Sequence, residues 1–143
     1  MRIEYTDIDF SDLRGDLLAD YLIAVDADLR ITEGDRAIYE EPDFPVVELA
    51  RSLAAWLREG HRTNFQFTSL SSDEPGIVTV SREGEGWCIF STFTPDVRSS
   101  VVQQVDLDEC LLDFIQKVRS DLVHRGLDAE WVLGTESPGT AGL

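Results

Sequence analysis

The sequence predicts an α+β domain: an antiparallel sheet of about six or seven strands with two helices packed on one face. Three observations carry this. Short runs with a period of two recur at hairpin spacing, separated by Gly, Pro, Asp and Ser. Two longer runs, near 46–57 and 107–122, place apolar residues three and four apart. The strand-like runs are grouped together and do not alternate with helices, which favours α+β over a parallel α/β sheet.

The first strand covers residues 2–10. Ile3 and Tyr5 share one phase and Ile8 and Phe10 the other, so a bulge or break is expected near Asp7. From Tyr21 to Ile31 every second residue is apolar, with Asp26, Asp28, Arg30 and Thr32 on the opposite phase. That pattern predicts one long half-buried strand. Glu33-Gly34-Asp35 then turns into a short strand through Ala37, Ile38 and Tyr39, which closes a hairpin. The run from Glu40 to Pro45 is expected to break the sheet, with Asp43 as helix N-cap and Pro45 in the first turn. Val46, Leu49, Ala50, Leu53 and Leu57 form the stripe of the first helix, with Trp56 at its edge and Gly60 as its stop.

Further strands are predicted around Phe65–Phe67, Ile77–Arg82 and Trp87–Phe93, with one more within 100–105. The second helix is expected to start at Asp106, with Asp106 and Glu109 at capping-box spacing. Its stripe is Leu107, Cys110, Leu111, Phe114, Ile115, Val118 and Leu122, and Asp113 precedes Lys117 by four on its exposed face. Trp131-Val132-Leu133 reads as a last short strand. The domain is thus expected to span 1–133, followed by a flexible Gly/Ser/Thr/Pro-rich tail at 134–143.

Charge is the most unusual property of the chain. Across 143 residues, 28 acids face 12 bases, a net charge of −16. Residues 1–43 alone hold thirteen acids and four arginines. Such a field repels nucleic acid and anionic membranes and speeds encounter with cationic partners. No apolar run reaches the ~18 residues that span a bilayer. Met1-Arg2-Ile3-Glu4-Tyr5 does not open a signal peptide, so a cytoplasmic location is expected.

The motifs of chemistry are absent or broken. Asp26-Ala27-Asp28 opens like a calcium loop, but Arg30, Ile31 and Ala37 occupy places that need a ligand, glycine and glutamate. Cys88 and Cys110 lie far apart in apolar strand and helix patterns, as buried reduced thiols do, and His61 and His124 each follow a helix body. There is no Gly-x-Ser-x-Gly elbow and no Walker pattern, and Gly84-Glu85-Gly86 lacks the third glycine of a dinucleotide loop. Neither an enzyme nor a metal or cofactor site is therefore expected.

The stretch from Glu40-Glu41-Pro42-Asp43-Phe44-Pro45 to Ala50, and Glu74-Pro75-Gly76 followed by Gly84-Glu85-Gly86-Trp87, resemble a family of uncharacterised small bacterial α+β proteins across residues 20–125. In size, acidity and strand–helix order the chain is also similar to immunity proteins of bacterial polymorphic toxin systems. That second resemblance implies a protein that binds a cognate toxin domain and blocks it, with no catalytic residue to carry over. The residues expected to form the contact are Asp26, Asp28, Glu33, Asp35, Glu40, Glu41 and Asp43, with Tyr39 or Phe44 as aromatic anchors. The partner would be a basic protein, neither nucleic acid nor membrane. The alternative is a homo-oligomeric structural or regulatory module without catalytic activity.

Overall fold

In the computed structural model, which describes residues 1–59, 62–71 and 74–135, the first half of the chain builds one sheet and the helix that covers it. Strand β1 (Arg2–Asp9) leads to helix α1 (Leu18–Ala24), then to β2 (Asp26–Glu33), β3 (Arg36–Phe44) and helix α2 (Val46–Leu57). The second half holds β4 (Phe65–Gln66), β5 (Thr79–Glu83) and β6 (Gly86–Phe90), then helices α3 (Gln104–His124) and α4 (Ala129–Leu133). The class is α+β as expected. The architecture differs, with two antiparallel sheets of three strands each, ordered β1-β2-β3 and β4-β5-β6, and four helices.

No ladder joins β3 to β6. Instead, side chains cross between the hairpin turn and the segment that follows β6. Arg36 donates to the Arg98 carbonyl (2.6 Å), and the Ser100 amide donates to Glu33 (2.9 Å). That segment lies along β6 through isolated bridges, Phe90 to Arg98 and Trp87 to Val102. The strand expected within 100–105 is thus only this pair of bridges, because α3 has already begun at Gln104.

Helix α2 is the centre of the core. Val46, Val47, Glu48, Leu49, Ala50, Leu53, Ala54 and Trp56 are all buried. Trp56 stacks edge-on against Trp87 and packs on Phe65, both in the second sheet. Helix α3 buries the stripe read from the sequence, Leu107 to Leu122, and its Phe114 meets the Tyr5 ring of β1 edge to face. One continuous hydrophobic cluster therefore serves both sheets.

Several local expectations are corrected. Tyr21–Ala24 belong to α1, not to a strand. Leu18, Tyr21, Leu22 and Val25 also recur at helical spacing, and Asp20 accepts the Leu17 amide to start the turn. Strand β3 does not stop at Tyr39 but runs on to Phe44. It is an edge strand, where Pro42 costs no ladder bond. Asp43 does not cap α2, because Pro45 holds that place. Asp106 and Glu109 form no box, since Gln103 precedes the first turn of α3. Lys117 makes no ion pair with Asp113; it donates to the Tyr5 carbonyl (2.8 Å) and lies over the Tyr5 ring, which satisfies an edge group of β1. Trp131–Leu133 form a helical turn in α4, opened by Asp128 and closed by Gly134 in the left-handed region.

The bulge near Asp7 is present: Asp7 has φ 56°, and the register to β2 shifts between Thr6 and Asp9. Cys88 and Cys110 are free and buried, and burial pushes the Cys110 thiol up to about 11. Gly60 and residues 136–143 lie outside the described residues, whereas Gly134 and Thr135 are held by Arg58 and Glu130. No helix among the described residues is long and apolar enough to cross a membrane.

Two substitutions test this packing. Phe44 is fully buried against Phe67, so Phe44→Ala should cost about 3–5 kcal/mol in urea unfolding. A Cβ on Gly86 would stand 2.6 Å from the Val102 carbonyl oxygen. Gly86→Ala should therefore cost about 1–3 kcal/mol and loosen amide protection at Val102, read by hydrogen exchange.

Candidate functional site

The seven carboxylates expected to act together divide into groups. Glu33 lies at the turn end of the hairpin, where Arg36 and Ser100 hold it and depress its proton affinity, with the Ser100 hydrogen bonds as the main cause. Asp35 is exposed in the turn itself. Glu40 is paired with Arg30 at 2.8 Å. Glu41 accepts the Tyr39 hydroxyl at 2.9 Å. Asp26, Asp28 and Asp43 sit at the other end of the hairpin, roughly 20 Å from the turn at ~3.3 Å of rise per residue.

That far end is where charge concentrates. Asp9 is opposite Asp26 in the β1–β2 register. Between Ala27 and Leu29 of β2, strand β3 carries an extra residue, so Pro42 and Asp43 together face Asp28. The bulge puts Asp43 at φ 53°, and its amide hydrogen is taken by Asp28 Oδ1 at 3.3 Å. Aspartate tolerates this left-handed backbone better than most residues. Burial raises the proton affinity of Asp26, and the charges of Asp43, Asp9, Asp12 and Asp28 raise it further. None of these five aspartates forms an ion pair among the described residues. Asp9 and Asp12 were not expected in the site. The bulge near Asp7 was legible, but only the strand register shows that it aims Asp9 at Asp26.

Two grooves flank this end. One, of about 540 Å³, runs over the outer face of the first sheet past Glu4, Asp28, Arg30 and Glu40. The other, of about 520 Å³, lies between β3 and the second sheet, with Phe67, Ile77 and Phe93 among its walls. Glu41 and Pro42 line both. Of the two expected anchors, Phe44 is wholly buried and Tyr39 nearly so. Phe93, about half exposed, is the aromatic that solvent reaches here.

Beneath the second groove is a buried carboxylate. Glu48 is 4% exposed, in the first turn of α2. It accepts the Ser69 hydroxyl (2.6 Å) and the Leu70 amide (2.8 Å), and Ser71 continues the chain of hydroxyls outward. The helix N-terminus favours a negative charge there. Glu48 thus ties the segment after β4 to α2. No group of three or more His, Cys, Asp or Glu side chains among the described residues is arranged to hold a metal ion. The arrangement can present diffuse negative charge beside exposed apolar surface.

Two outcomes check this geometry. Glu48→Ala leaves two donors without an acceptor and should cost about 2–4 kcal/mol, with faster amide exchange at Leu70. For Asp26, a carboxyl whose proton affinity is raised by folding destabilises the fold above its folded pKa and is neutral to stability below its unfolded pKa, about 3.9. Asp26→Asn should therefore raise the urea midpoint at neutral pH, and the gain should vanish as the solution is acidified.

Residues 1–124 match a protein family described as "Domain of unknown function (DUF7878)". No curated protein and no solved structure matches the chain.

Proposed function

We propose that the chain, which belongs to the DUF7878 family, works by binding: the acidic end of its first sheet docks on a basic protein and covers that protein's working surface. The observation that carries this reading is the meeting of Asp9, Asp12, Asp26, Asp28 and Asp43 without an ion-pair partner among the described residues. At Asp26 the neighbouring carboxylates disfavour the charged form, and a cationic partner relieves that on binding. The similarity in style to immunity proteins gives the reading its form, an inhibitor of a basic toxin domain. A long-range negative field also suits such a role, since it accelerates encounter with a positive target.

The turn end of the hairpin is assigned no part in this contact. There Glu33 is engaged by Arg36 and Ser100, and in mid-strand Glu40 is engaged by Arg30. The docking surface proposed is therefore smaller than the set of seven and displaced toward β1.

The test replaces all five aspartates by asparagine, which keeps shape and hydrogen-bonding oxygens. Tagged wild type and variant are each passed through extract of the native host. Wild type should retain a protein carrying a basic domain, and the variant should not. With that protein purified, the association rate at low salt should fall about 10- to 100-fold in the variant, and the difference should shrink as salt is added. Equal retention by both, or capture of an acidic protein, would count against the proposal.

A further inference from the structure

We infer that the groove between β3 and the second sheet receives an arginine- or lysine-bearing apolar segment of the partner, with Phe93 as the anchor that the segment packs against. This rests on the reading of the acidic end as a docking surface and assigns it a pocket.

The groove has the composition such a segment needs. Its floor is apolar and rigid: Phe67 is fully buried and Ile77 nearly so, both packed into the common core. Phe93 stands on the rim and is 51% exposed, so its ring is open to a ligand. Across from it, Pro42 and Asp43 project from the bulge in β3, and Glu41 lies one residue before them. No lysine or arginine is among the described residues that line the groove. A purely apolar ligand would leave the two carboxylates uncompensated, and a purely cationic one would leave the Phe93 ring in water.

A side chain with an aliphatic stem and a cationic head answers both. The stem can lie on Phe93 and Pro42 while the head reaches Asp43 and Glu41, as long basic side chains do on apolar surfaces. Arginine adds stacking on the ring. The site is also braced. The bulge is fixed by the Asp28–Asp43 hydrogen bond, and the opposite wall by the Glu48 clamp on Ser69 and Leu70. Little ordering is left to do on binding, which favours affinity.

Binding of labelled peptides to the full chain tests the inference. The probes are a peptide of alternating arginine and leucine, an all-arginine peptide of equal length, and an alternating glutamate–leucine control. The variants are Phe93→Ser and the double variant Glu41→Gln with Asp43→Asn, each checked for a urea midpoint no lower than that of wild type. The alternating basic peptide should bind tightest to wild type and lose about tenfold in affinity with Phe93→Ser, whereas the all-arginine peptide should change less than about twofold. The double variant should weaken both basic peptides. If Phe93→Ser changes nothing while the double variant still weakens the basic peptides, the groove assignment falls and the acidic docking reading stands. If neither basic peptide outbinds the acidic control, both fall. If sedimentation shows a dimer that Phe93→Ser disperses, the occupant is a second copy of the chain and the inference is overturned.

Discussion

Helix α2 is buried on almost every side, and the layout of both sheets follows from that burial. A helix covered on one face can rest on one sheet. A helix that buries Val46, Val47, Leu49, Ala50, Leu53, Ala54 and Trp56 must be enclosed from several directions. The first sheet, the second sheet and α3 supply those directions, with Trp56 reaching to Trp87 while α3 seals the side toward β1. Two small sheets wrapped about one helix satisfy this demand, and a single flat sheet with helices on one face would not.

The acidic end follows from the same constraint. Strand β3 must leave the sheet edge and enter α2 within two residues, with Phe44 and Val46 both fully buried. The chain makes this transition with an extra residue and a left-handed backbone at Asp43. The bulge presents the Asp43 amide to the Asp28 carboxylate, and the bulge in β1 places Asp9 opposite Asp26. The charge cluster is therefore built from two strand irregularities that also serve the packing. The structural role and the proposed binding role fall on the same few residues.

Much of this was legible from residue order. The stripe of α3 stands as read, because twenty-one residues of helical periodicity leave no competing pattern. The hairpin turn at Gly34-Asp35 and the break near Asp7 were also plain. The apolar residues of Tyr21–Val25 fit a period of two and a helical period equally, and five residues cannot separate them. Trp131–Leu133 misled for the same reason, with its capping residue Asp128 as the overlooked signal. Glu48 gave no signal, since nothing in a sequence announces that a charged residue in a helix will be buried against a loop twenty-one positions away.

By itself the sequence determined the class of fold, the identity of the two long helices and a surface charge far from neutrality. These are properties of composition and of local periodicity, which act between near neighbours along the chain. Tertiary structure alone decided how the strands divide into sheets and which carboxylates meet. Register, bulges and the pairing of arginines with particular acids depend on residues distant in sequence. Arg30 and Arg36 pair with Glu40 and Glu33, while antiparallel pairing brings Asp9 to Asp26, where Arg14 and Arg125 bind Ser11 and Phe10 nearby without pairing with an aspartate of the cluster.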